Sequence, residues 1–242
     1  HIELNFDFHG NFHDYYEPRV GGRYFTEPYY YQSAFWVGSD YRKPLFGSVS
    51  FSFAKQPDTD QRFREGEFEL NLRVGRKLNL EYSASFQDEI NDRGFVDMTE
   101  STDTIYFARR DVNTFENILG ASYAFNNKAG LNLRFRHYWS GAANNDFYQL
   151  QRNGELISDL NYNENQDANY NAFNIDLIFK WIFSPGSELS LAWKNSILSN
   201  DDHVISGYWK NLDKTWRSDQ INSFSIRILY YIDYNSLRKK KG

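Results

Sequence analysis

Apolar and polar residues change places at every second position through most of the chain. This is the period of a β-strand, whose successive side chains point to opposite faces. Ile2, Leu4, Phe6 and Phe8 stand against Glu3, Asn5, Asp7 and His9. Val49, Phe51 and Phe53 oppose Ser48, Ser50 and Ser52, and Phe68, Leu70, Leu72 and Val74 oppose Glu67, Glu69, Asn71 and Arg73. Leu78, Leu80, Tyr82, Ala84 and Phe86 oppose Asn79, Glu81, Ser83 and Ser85. The second half repeats the pattern. Leu131, Leu133, Phe135 and Trp139 alternate with Asn132, Arg134, Arg136 and Tyr138; Phe173, Ile175, Leu177, Phe179, Trp181 and Phe183 with Asn174, Asp176 and Lys180. Leu189, Leu191 and Trp193 alternate with Glu188, Ser190 and Lys194, and Phe224, Ile226, Ile228, Tyr230 and Ile232 with Ser225, Arg227 and Asp233. Ile178, Ile182, Leu229 and Tyr231 break the rule by placing apolar groups on the polar face, where a plug or partner would meet them.

The links between these runs alternate in length. Short ones with turn chemistry fall at 40–44, 75–77, 126–128 and 184–187, where Gly, Pro or Asn supplies the special backbone angles. Long polar ones fall near 10–28, 55–64, 88–111, 141–168 and 199–217. Ten strands are expected, centred on 1–9, 30–38, 45–54, 65–74, 78–90, 108–125, 129–140, 170–183, 188–198 and 219–232. Runs of roughly 8 to 12 residues match the length a tilted strand needs to cross a bilayer, and exceed the five or six usual in a soluble sandwich. Short turns on one side and long loops on the other are the habit of outer-membrane barrels.

Composition sharpens this reading. Aromatic residues make up 19% of the chain, yet the mean hydropathy is −0.71. That combination suits strands with one apolar and one wet face, and aromatic girdles at two membrane interfaces. Trp36 and Trp181 near short turns and Trp139 near a long link are the belt candidates. No run approaches the 18 or so apolar residues of a spanning helix. The absence of cysteine rules out disulfides and thiolate metal sites. A net charge of −5 argues against nucleic acid as a partner. The expected fold is therefore all-β: a transmembrane antiparallel up-and-down β-barrel of about ten strands in one domain over 1–242, open to being part of a larger barrel. The start at His1, without Met or a signal peptide, is read as a processed chain or a piece of a longer one whose N-terminal part is absent.

Three stretches carry a family resemblance. They are Asp111–Gly141 (DVNTFENILGASYAFNNKAGLNLRFRHYWSG), Phe173–Ile197 (FNIDLIFKWIFSPGSELSLAWKNSI) and Tyr230–Lys241 (YYIDYNSLRKKK). Together they resemble the C-terminal barrel region of a Bacteroidota family of uncharacterised function. Its members often carry an N-terminal domain similar to family-9 carbohydrate-binding modules. The resemblance spans about 105–242. It implies an outer-membrane location and a setting in surface glycan biology, and it brings no catalytic residues.

The charged polar row is the main candidate for function. Glu67, Glu69, Arg73, Arg134, Arg136, Asp176, Lys180, Lys194 and Arg227 would face the lumen, tuning selectivity if it holds water or pairing to fill it if it is narrow. His9 and His13 beside Asp14 and Glu17 would need to converge to hold a metal, and polar loops explain them more simply. His137 falls on the apolar row near an interface, where snorkelling is the expectation. Tyr29, Tyr30, Tyr31, Phe147 and Tyr148 are candidate sugar contacts on external loops. No Gly-x-Ser-x-Gly elbow is present. The basic tail Arg238–Lys241 would be periplasmic. These features suggest a non-enzymatic outer-membrane scaffold or assembly subunit in glycan or nutrient handling, without cofactor or metal. Its partners would be outer-membrane lipid, other outer-membrane proteins and glycans. A passive pore and a rim hydrolase are the alternatives.

Overall fold

The computed structural model describes residues 1–99, 101 and 103–232. The basic tail lies outside them. In chain order the elements are β1 (Ile2–His9), β2 (Phe12–Asp14), β3 (Phe25–Glu27), β4 (Tyr30–Gly38), β5 (Leu45–Gln56), β6 (Gln61–Val74), β7 (Leu78–Thr99), β8 (Thr104–Asn126), β9 (Ala129–Leu150), β10 (Leu156–Ser158), β11 (Ala168–Ser184), β12 (Ser187–Asp201), α1 (Tyr208–Trp216) and β13 (Gln220–Leu229). One sheet runs β1-β4-β5-β6-β7-β8-β9-β11-β12-β13, antiparallel throughout, with β10 added against the end of β9. β2 and β3 form a separate hairpin. Each of the ten strands read from the periodicity has its counterpart in this path.

The register keeps the two faces apart. Leu45, Leu72, Leu80, Ala121, Leu133, Leu177, Trp193 and Phe224 are successive partners from β5 to β13. One residue away on the other face, Asn71, Glu81, Gly120, Arg134, Asp176, Lys194 and Ser223 line up in the same way. A slip of one residue would exchange the two sets, so the alternation specifies the pairing. Gly75 and Gly186, at φ 61° and 74°, close the tight links that the sequence placed at 75–77 and 184–187.

Three features depart from expectation. The sheet is open: β1 and β13 are its edges, they do not pair with each other among the described residues, and both are exposed along their whole length. No closed barrel is formed among the described residues. Much of the links at 88–111 and 141–168 is strand, since β7, β8 and β9 continue far beyond their expected ends, and the link at 55–64 shrinks to a turn at 57–60. Here both faces carry polar residues, so the strands leave no alternation in the sequence. Finally, 199–217 contains the helix α1.

The segment 10–29 forms a strap across the end where these strands extend. Phe25 packs into a small core with Ile105, Phe107 and Leu150, flanked by Val20, Phe95, Met98, Tyr148 and Leu156. The Arg23 guanidinium donates to the Leu150 carbonyl at 2.8 Å, and the Thr26 amide to the Gly154 carbonyl at 2.8 Å. Gly154 has φ 81°, and a Cβ there would meet the Tyr24 ring at 2.4 Å, so this contact requires glycine.

Candidate functional site

The nine charged residues singled out on the polar row do share one face. Arg134, Asp176 and Lys194 are consecutive partners across β9, β11 and β12. Lys194 Nζ lies 3.4 Å from Asp176 Oδ1, and Arg136 Nε lies 3.5 Å from Glu116 Oε1. Ser48 and Ser50 donate to Glu69 and Glu67 at 3.3 and 3.1 Å. The Arg73 guanidinium sits 4.8 Å from the Phe46 ring centre. Lys180 and Arg227 both partner Ser190, near the short turns. A hollow of about 610 Å³ opens on this face, lined from β6 through β12 by residues that include Glu69, Glu81, Arg134, Asp176 and Lys194. Six successive strands can line one hollow because the sheet curls around its polar side. Ile178, which breaks the alternation, lies on its wall.

Above this hollow the strap closes over the same polar face. A second hollow of about 510 Å³ lies between them, walled by Asp14, Glu17 and Glu27 of the strap and by Gln32, Gln56, Gln61, Glu89, Asp92 and Arg110 of the sheet. Arg110 Nε bonds Asp92 Oδ2 at 2.6 Å, and its Nη2 lies 3.6 Å from Glu17. Glu17 accepts the Phe95 amide at 2.9 Å, and Gln56 donates to Glu27. Burial pushes the Glu27 carboxyl up to about 7, against the opposing hydrogen bond from Gln56. Glu17 and Glu89 are also raised, by burial first. The strap thus brings half-buried carboxylates together, and desolvation raises Glu27, Glu17 and Glu89 alike.

The aromatic candidates are placed differently from one another. Trp181 is on the apolar face, 44% exposed, close to a short turn. The register sets Trp36 between Glu3 and Ser50, on the polar face, so it does not take the outward position a belt requires. Trp139 is on the apolar face but buried, its Nε1 donating to Asn169 Oδ1 at 2.8 Å. His137 is fully buried and does not snorkel. Its Nδ1 lies 3.1 Å from the Tyr208 hydroxyl, and Asn117 Nδ2 donates to the same hydroxyl at 3.1 Å. Both residues are covered by α1, which the sequence reading missed. His9 and His13 stack on Tyr30 and Tyr24, with ring centres 4.5 and 4.2 Å apart. No cluster of three His, Asp or Glu suited to a metal exists among the described residues. Of the candidate sugar contacts, Tyr29 donates to Asp58 at 3.2 Å, Phe147 packs on Tyr162, and Tyr148 backs the strap core.

These features define an all-β protein built on one curled antiparallel sheet, polar within and apolar without, with a strap across one end. The chain belongs to the family described as Domain of unknown function (DUF5916), whose model matches residues 1–241. No curated protein and no solved structure matches it.

Proposed function

We propose that this chain is the wall of a Gram-negative outer-membrane β-barrel that acts as a non-enzymatic scaffold or assembly subunit in surface glycan or nutrient handling. One observation carries the membrane reading. The apolar face is largely exposed from the short turns upward, is covered by α1 on β8, β9 and β11 near its top, and ends at the register row Arg64, Asp88, Asn113, Gly141, Asn169 and Asp201. Between Leu131 and Gly141 lie ten residue steps, or about 25 Å of height at a strand tilt of about 40°. That is the height of the apolar band of an outer-membrane barrel. An apolar face this large is not left to water in a soluble monomer. The open edges β1 and β13 run antiparallel to one another, which is compatible with closure directly or through further strands.

A scaffold is favoured over a pore by the strap, which spans the polar side above the hollow. The glycan setting rests on the family resemblance and on exposed aromatic groups such as Tyr31. The mixed charges around the lower hollow keep a pore as the second reading. Outer-membrane fractionation followed by planar-bilayer recording of the purified full-length protein tests the proposal. Insertion without steady open steps is the expected result. Recovery in the soluble fraction overturns the membrane reading, and steady open steps overturn the scaffold.

A further inference from the structure

The helix α1 is built inside out for a helix in water. Its face against the sheet is polar: Asn211 and Thr215 are fully buried and Tyr208 points its hydroxyl inward. Its outer flank is aromatic, with Trp209 78% and Trp216 52% exposed. A surface helix of a soluble protein places these residue types the other way round. At nine residues it is too short to persist by itself, so its contacts hold it.

What it covers explains the inversion. On β5, β6 and β7 the apolar face carries Phe51, Val49, Phe68, Phe86 and Ala84 in the two rows just below its upper limit. In the same two rows β8, β9 and β11 carry Asn117, His137 and Asn171 beside Phe115, Trp139 and Phe173. Those groups could not face hydrocarbon without partners, because each unpaired polar group there costs several kcal/mol. α1 lies across the strands over this break. Tyr208 takes Asn117 and His137; Asn211 exchanges amide hydrogen bonds with Asn171 and accepts from Asn169 at 3.0 Å. Trp216 meets the Phe173 ring edge-on with centres 5.0 Å apart. His137 Nε2 alone of these side-chain groups is left buried without a partner; the others are answered by α1, and Leu212, Trp209 and Trp216 form one flank of its outward surface. Behind this aromatic flank lie Lys210, Lys214 and the C-cap Arg217, seven residue steps or about two turns from first to last, with Lys214 paired to Asp201 at 2.7 Å and Arg217 to Asp213 at 3.1 Å.

We propose that α1 is a lipid-facing collar, seated at the outer headgroup level of the bilayer, with Trp209 and Trp216 in the interface and Lys210 and Arg217 beside the lipid phosphates. The partner is the lipid surface. Indole rings settle at this depth because one part is apolar and the N–H remains wet. A helix with an aromatic flank and a basic flank lies in the plane of the interface. The inference rests on the membrane-spanning reading above, so the test must separate the two.

The chain has no cysteine, and any cysteine of the full-length protein outside it is first replaced by serine, so that each label is single. Nitroxide is attached to the full-length protein at Asp213→Cys on α1, at Leu177→Cys on the apolar face and at Asp88→Cys above it. The protein is placed in vesicles of phosphatidylethanolamine and phosphatidylglycerol. Collision with oxygen reports lipid, and collision with a nickel chelate reports water. The label at 177 should be lipid-like, the label at 88 aqueous, and the label at 213 intermediate, at phosphate depth. Adding Trp209→Ala should move the label at 213 toward the value at 88 while leaving 177 unchanged. A lipid-like 177 with a 213 as aqueous as 88 overturns the collar and leaves the membrane reading standing. An aqueous 177 overturns both.

Discussion

At the scale of single residues, the side of the sheet on which a charge falls decides its cost. Leu177 and Asp176 are neighbours in β11, yet the first joins the apolar row and the second pairs with Lys194. If the apolar face meets lipid as proposed, Leu177→Arg or Phe135→Arg should lower stability by about 2–4 kcal/mol in urea titrations of the protein folded into phospholipid vesicles, the cost of a cation near mid-bilayer. Arg134→Ala, one residue from Phe135 and on the polar face, should cost far less; equal losses would contradict the facing. Asn211→Ala makes a second, local prediction. It strips the partner from Asn169 and Asn171 under α1, leaving buried amides unanswered. Hydrogen exchange should then quicken at the α1 amides while the β9–β11 ladder stays protected. The facing of Leu177 and Asp176 was legible because strict alternation needs no knowledge of neighbours. The burial of His137 was not, since its partner Tyr208 lies 71 residues further along. Trp36 was misplaced for another reason. β4 reads Tyr-Tyr-Gln-Ser-Ala-Phe-Trp, with aromatic or small groups on both faces, and only pairing with Ser50 and Glu3 fixes its side.

At the scale of elements, the strap is the part whose hold should depend on pH. Glu27, Glu17 and Glu89 have their carboxyls raised by burial beneath it, and Asp92, Asp14 and Arg110 share the site. A docked strap therefore holds protons that a free strap releases. Docking is strongest below the ordinary carboxylate value of 4.5 and weakens as pH rises through about 7. Hydrogen exchange at the Thr26 and Phe95 amides, corrected for intrinsic rates, should show protection falling between about pH 5 and about pH 8. Glu27→Gln should flatten that profile, and a protection independent of pH in the unaltered chain would sink the idea. The strap, like α1, carries the sequence pattern of a polar loop. Its anchors Val20 and Phe25 are single apolar residues without a period, and α1 turns Asn211 and Thr215 inward, so its pattern resembles an exposed segment. The ten strands were legible where one face is apolar. They faded where β7, β8 and β9 rise past Asp88, Asn113 and Gly141, since polar residues enter both faces there and apolar ones such as Ile105, Phe107 and Leu150 are few.

At the scale of the whole molecule, the polar side of the sheet holds two hollows with the strap across the upper one. If the sheet walls a barrel as proposed and the strap is what keeps it from conducting, removing the strap should open a path without disturbing the wall. The geometry permits a clean excision. His9 and Tyr30 are register partners at the ends of β1 and β4, so a short Asn-Gly turn can replace residues 10–29 and leave that ladder paired. The small core of Ile105, Phe107 and Leu150 would lose Phe25, and the charge pair Arg110–Asp92 would remain to hold β7 against β8. In planar bilayers the intact full-length protein should be silent and the excised form should give steady open steps. Its ion selectivity would then be set by the lower row, where Glu67, Glu69 and Asp176 stand against Arg134, Arg136 and Lys194. Arg134→Glu should shift the reversal potential toward cation preference, because the substituted charge lies on the wall of the larger hollow. Silence after excision would locate the block in those paired side chains themselves, as expected of a narrow barrel that fills its own interior. Steps in the intact protein would show that the strap lies beside the path rather than across it.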